Sequence, residues 1–141
     1  MNSLELLVHE VREYLEVHSQ QIRAPKLHSF PDDCCEIAST ILHEVLILSG
    51  FDSEVVKGYN GDDYHCWIRC DGNHIDITWD QMSGQTALFF LSEKTEPYAA
   101  YAIELTSRQN YESFTEAFPP KFFDSPKDIA MNILAKIEEL H

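Results

Sequence analysis

The chain has 141 residues, 44% hydrophobic and 24% charged, a make-up that suits one globular domain with a core of its own. Its 24 Asp and Glu outnumber 10 Lys and Arg, and the formal net charge of −14 at pH 7 argues against binding nucleic acid or anionic lipid. No apolar stretch approaches the roughly 20 residues of a membrane helix, so no membrane insertion is expected. Residues 1–17 lack the basic and continuous apolar segments of a signal peptide, so the expected setting is cytoplasmic, with export by a signal-independent route left open.

In chain order, Leu4, Leu7, Val8, Val11, Tyr14 and Leu15 recur at helical spacing and predict an amphipathic helix over 4–17. Residues 18–33, with Pro25 and Pro31 and no periodicity, predict a loop. A second helix is expected over 34–49, with Ile37, Ile41, Val45 and Leu48 as its stripe, Leu42 and Leu46 widening it, and Gly50 as its stop. Asp33 with Glu36 has the spacing of a capping box. The period then changes to two. Glu54–Tyr59, Tyr64–Cys70 and Asn73–Trp79 predict strands, the last two joined by a hairpin at Asp71-Gly72. Ala87–Ser92 and Tyr98–Leu105 are further candidate strands, and Ser125-Pro126 opens a final helix to about residue 140. The expected class is α+β, with helices packed on a mostly antiparallel sheet in a single domain over 1–141.

The cysteines Cys34, Cys35, Cys66 and Cys70 are too few for the disulfide framework of a small secreted scaffold. Adjacent Cys34 and Cys35 cannot easily share one ion, and Cys66 and Cys70 are i and i+4 on one strand, so neither metal nor cofactor is expected.

Two stretches carry chemistry, 31–39 (PDDCCEIAS) and 65–78 (HCWIRCDGNHIDIT). The first puts a thiol at a helix N-terminus, where backbone N–H groups and the helix dipole favour the reactive thiolate. In the second, a two-residue turn at Asp71-Gly72 sets Trp67 opposite Asp76 and His65 opposite Thr78. His65 and Asp76 then share a face as diagonal neighbours. A nucleophile, a base and a carboxylate that orients the base are the parts of a catalytic triad.

With these residues in order, the chain resembles the papain-like fold superfamily, and more closely its transglutaminase-like branch. Cys35 to Gly50, the strand Val55–Tyr59, His65-Cys66-Trp67 and Asp76-Ile77-Thr78 match that branch in order and approximate spacing, with Gln81-Met82 extending the match. The resemblance covers about residues 33–82. It implies a papain-like or transglutaminase-like fold with Cys35, His65 and Asp76 as catalytic residues.

Cys35 is preferred to Cys34 as nucleophile. Cys34 heads the stripe that faces the core, whereas Cys35 lies in line with Ser39 and Leu42 at its flank, matching the family pattern of Cys followed four residues later by a small residue. The plain alternatives are a surface histidine at His65 and a solvated carboxylate at Asp76, with Asp63 and Asp80 as rival orienters. Trp67 is expected to pack over the site, His74 to line its entrance, and Cys66 and Cys70 to face the core from the opposite side of their strand. Gln20, Gln21, His28 and Ser29 offer no matching oxyanion donor, which leaves the Cys35 backbone N–H.

The expected activity is acyl transfer from a carboxamide or peptide bond through a thioester. Peptidase, protein deamidase and transglutaminase outcomes all use this triad, and the small size suits a compact bacterial hydrolase. The acidic stretch 58–64 is expected to be a flexible loop bordering the cleft, so that a basic peptide or protein is the favoured substrate. Two alternatives remain: a cell-wall peptide hydrolase of the NlpC/P60 kind, which moves the nucleophile to Cys34, and a non-catalytic binding protein that keeps the fold.

Overall fold

Helical spacing of apolar side chains builds one wall of the protein. The first helix, α1, runs Ser3–His18 and buries Leu4, Val8, Val11 and Leu15; the second, α2, runs Cys35–Leu48. In this computed structural model residues 3–32, 34–81, 89–93, 96–107 and 124–140 are described. Helix α2 ends as the glycine predicts. Gly50 takes φ +88°, its N–H bonds the Ile47 carbonyl, and the Phe51 N–H reaches back to Leu46 at 2.9 Å, a Schellman closure. At its start Cys34 occupies the cap position without a side-chain cap bond. Of the expected capping box, Asp33 lies outside the described residues, and the Glu36 carboxylate accepts from Lys57 Nζ at 2.9 Å and Tyr64 Oη at 3.0 Å. The last helix, α3, spans Pro126–Leu140, with the Ser125 hydroxyl accepting the Asp128 N–H at 3.1 Å.

The period-two segments form five strands, β1 Ser53–Asn60, β2 Asp63–Cys70, β3 Asn73–Asp76, β4 Phe90–Ser92 and β5 Ala102–Thr106. They make one sheet in the order β4-β3-β2-β1-β5, with every pairing antiparallel. Asp71 and Gly72 both take positive φ, 49° and 79°, so the β2–β3 turn has the twist a two-residue hairpin requires. The fold is therefore α+β with helices on an antiparallel sheet.

Three boundaries differ from expectation. β3 stops at Asp76 rather than Trp79, because the Asp76 carboxylate bonds the backbone of Thr78 and turns the chain out of the ladder. Pro97 and the Tyr101 N–H to Tyr98 carbonyl bond shape a short 3-10 turn, Glu96–Tyr98, so β5 begins at Ala102 and not at Tyr98. Residues 58–64 are not a loop but the closing end of the β1–β2 hairpin, with Asn60 opposite Asp63 across Gly61-Asp62. Of the candidate strand 87–92, residues 87 and 88 lie outside the described residues.

Alternation sorts the strand side chains. Val55, Ile68, Cys70 and Ile75 join the apolar faces of all three helices in the main core. Val56 and Trp67 face the other way, under Trp79, Tyr98 and Tyr101. Gly58 is what lets this second layer close. A Cβ there would meet the Ala102 carbonyl at 3.2 Å and Trp67 and Tyr101 at 3.3 Å. Among the described residues, no helix is long and apolar enough to cross a membrane.

Candidate active site

The early exit of β3 creates the site. The β2–β3 ladder pairs Ile68 with Ile75, Arg69 with His74 and Cys70 with Asn73, so His65 to Trp67 extend beyond it. The first turn of α2 docks against this stretch. Ser39 donates its hydroxyl to the Cys66 carbonyl at 3.3 Å, and one turn earlier Cys35 accepts the Cys66 backbone N–H at its sulfur. Two small polar side chains, four residues apart on a helix, thus do the work of the missing strand. This explains why Ser39 is buried although polar.

His65 and Asp76 meet as the hairpin register predicts. The imidazole Nε2 donates to Asp76 Oδ2 at 2.5 Å, and His65 also hydrogen-bonds Cys35, which leaves Nδ1 for the thiol. Asp76, 1% exposed, is fully engaged. Its Oδ1 accepts the Thr78 N–H at 2.9 Å and the Thr78 hydroxyl at 3.1 Å, and its Oδ2 also accepts the Tyr98 hydroxyl at 3.3 Å. A buried carboxylate with four donors is held in one orientation and aims the ring it binds.

The electrostatics follow from these contacts. The Cys66 thiol donates to Cys35, and, against the opposing effect of burial, that bond together with His65 and the Cys66 N–H lowers the Cys35 thiol from 9.0 to about 5. Burial acts against charge on His65, but its bonds to Asp76 and Cys35 prevail and raise it from 6.5 to about 10. Between those values the pair rests as thiolate and imidazolium. Its bond to Cys35, reinforced by burial, pushes the Cys66 thiol up, so within the thiol pair Cys35 carries the charge. Cys35 is half-buried and open to approach, while Cys34 is buried in the main core and Cys70 at the far end of β2 is raised to about 11 by burial.

The remaining candidates are accounted for by other contacts. Asp63 accepts the Tyr101 hydroxyl at 2.6 Å, and Asp80 pairs with Arg12 at 2.9 Å, so neither rival competes for His65. Trp67 stacks on Tyr98 with ring centroids 4.5 Å apart and donates its indole N–H to His74 Nδ1 at 3.2 Å. His74 is lowered by burial and by the charge of Arg69, and it packs beside the site rather than in it. Gln20 and His28 bond carbonyls of their own loop, and Ser29 bonds the Asp32 carbonyl. Gln81 begins the tail of the sequence match, but Met82 lies outside the described residues. Cys66 departs from expectation: it faces α2 as alternation requires, yet it touches the candidate nucleophile instead of joining the main core. The sequence reading also missed Tyr98. It lies 22 residues from Asp76, and no motif spacing marks it. Among the described residues no group of three or more His, Cys, Asp or Glu is arranged to hold a metal ion.

Compared with protein families, curated proteins and solved structures, the chain finds no match.

Proposed function

We infer that this chain is a thiol enzyme of the papain-like superfamily, transglutaminase-like branch, acting on carboxamide or peptide bonds through a Cys35 acyl-enzyme. The observation that carries the reading is the contact chain Cys35–His65–Asp76, with the thiol lowered and the imidazole raised. In the forward step the Cys35 thiolate attacks the carbonyl carbon and a tetrahedral oxyanion forms. Helix geometry leaves the Cys35 backbone N–H, at the first position of α2, without an intrahelical partner, and we assign it to that oxyanion. His65 Nδ1 gives its proton to the departing nitrogen, the C–N bond breaks, and a thioester remains. Water then attacks while His65 takes its proton, and Cys35 leaves as thiolate. A substrate amine in place of water gives transamidation.

The acidic turn supports a cationic substrate region. Asp62 and Asp63 are exposed at the hairpin end that leads into His65, and Tyr101 ties Asp63 to the aromatic layer beside it. Burial of Cys34 in the core weighs against the NlpC/P60 alternative, and the lowered Cys35 thiol weighs against a purely binding role.

The experiment incubates the chain with Gln-containing basic peptides, with and without a primary amine, and follows ammonia release, peptide cleavage and protein mass. Expected is a thioester adduct on Cys35 together with one of the three products, all absent in Cys35→Ala. Product formation that survives Cys35→Ala, or no adduct with any carboxamide or peptide, overturns the reading.

A further inference from the structure

Acyl transfer gives Cys66 no covalent role, yet its side chain is wholly buried against the nucleophile. Separate contacts fix it there. Ser39 bonds its carbonyl at 3.3 Å, and the Tyr64 hydroxyl lies 3.0 Å from its sulfur. The same hydroxyl donates at 3.0 Å to Glu36, the residue that follows Cys35. The Cys66 sulfur is thereby bracketed by the first turn of α2, with the Cys35 thiol in direct hydrogen-bond contact. We propose that Cys35 and Cys66 form a redox-active dithiol site, in which a hydroperoxide oxidises Cys35 and Cys66 closes a reversible intramolecular disulfide.

Burial sets the order of events. Cys35 is half-buried and reachable by a small neutral peroxide, whereas Cys66 is sealed behind it. In the first step the Cys35 thiolate attacks one peroxide oxygen. An S–O bond forms, the O–O bond breaks, and the departing alkoxide or hydroxide takes a proton from His65. Cys35 is now a sulfenic acid, and the peroxide has taken up two electrons. In the second step the Cys66 sulfur attacks the Cys35 sulfur. The S–S bond forms, the S–O bond breaks, and hydroxide leaves with the Cys66 proton as water. Contact with Cys35, reinforced by burial, is what holds the Cys66 proton in the resting pair. Once Cys35 is a sulfenic acid its negative charge is gone, and that restraint weakens. Cys34 points into the main core and Cys70 lies at the other end of β2, so neither is placed to compete.

The inference rests on Cys35 being the reactive thiol of the function proposed above, but its readout needs no acyl substrate. The reduced chain is treated with equimolar hydrogen peroxide and mapped by non-reducing peptide mass spectrometry. Expected is loss of two hydrogens, a cross-link between the peptides holding Cys35 and Cys66, and reversal by dithiothreitol. Cys66→Ser, which keeps a hydrogen-bond donor, is expected to give no cross-link and a dimedone adduct on Cys35. The proposal is overturned if wild-type Cys35 passes directly to the sulfinic acid, if the disulfide uses Cys34 or Cys70, or if no cysteine reacts. The wild-type map decides even where Cys66→Ser fails to fold. A Cys35–Cys66 disulfide formed with peroxide, in a chain whose reduced form acylates nothing, would remove the acyl-transfer reading alone.

Discussion

The Ser39 hydroxyl bonds the Cys66 carbonyl at 3.3 Å, one helical turn beyond the point where Cys35 receives the Cys66 N–H. Cys35 is therefore positioned by a helix replacing a strand, not by its own rotamer alone. Ser39→Ala removes a buried hydrogen bond and leaves a carbonyl unsatisfied, a loss of about 1–2 kcal/mol. Denaturant unfolding is expected to record that loss, together with slower alkylation of Cys35. Unchanged alkylation would separate Ser39 from the placement of the thiol.

Asp76 holds His65 through one oxygen and is itself held by Thr78 and Tyr98. Asp76→Ala removes the partner that raises the imidazole, so the His65 pKa is expected to fall, as read by NMR titration of the ring. Activity is expected to fall by about 10²–10⁴-fold. Tyr98→Phe, which keeps the ring stack on Trp67, is expected to have a much smaller effect.

Reactivity is expected to depend on pH through both members of the pair. Below about 5 Cys35 gains a proton and the nucleophile is lost; above about 10 His65 loses its proton and the acid for the leaving group is lost. Linkage gives a matching signature in stability. A thiol depressed from 9.0 contributes fully above 9.0 and loses its contribution as pH falls through about 5. An imidazole raised from 6.5 contributes fully below 6.5 and loses its contribution as pH rises through about 10. The two slopes offset one another between 6.5 and 9.0. The wild-type Tm is therefore expected to be level there and to fall on either side, and the fall through about 5 is expected to be absent in Cys35→Ala, which keeps Asp76 on His65.

Arg12 of α1 is 3% exposed and bonds Glu16, Asp80 and the Ile77 carbonyl, with Phe30 under its guanidinium at 4.7 Å. It clamps the segment that leaves β3 directly after Asp76. Arg12→Ala orphans that carbonyl and a partly buried carboxylate, at a cost of about 3 kcal/mol. A lower Tm and a weaker His65–Asp76 bond are expected, the second read from the imidazole NMR shift.

Local signals made the helices and the site legible in the sequence. The stripe of α2 and its Gly50 stop are set by side-chain period and backbone handedness. The Asp71-Gly72 turn fixed the register, and from the register followed the meeting of His65 and Asp76. What escaped was non-local. The truncation of β3 comes from a carboxylate folding back on Thr78, and period-two patterning through Trp79 hides it. Tyr98 reaches Asp76 from beyond β4, and nothing near it in the chain marks that contact. Alternation sent Cys66 to the helix side correctly, but what meets it there depends on where α2 docks. Glu36 fits a cap by spacing and finds Lys57 and Tyr64 instead, partners that β1 and β2 bring to the start of α2.

The central claim is that Cys35 is the thiolate of a Cys–His–Asp site, and site-resolved alkylation tests it most directly. The reduced chain is exposed to limiting iodoacetamide across the pH range, and each adduct is located by mass spectrometry. The account predicts a first adduct on Cys35 with a midpoint near 5, moving toward the ordinary thiol value in His65→Ala. A first adduct on Cys34, or a Cys35 midpoint near 9.0 that ignores His65, would contradict it.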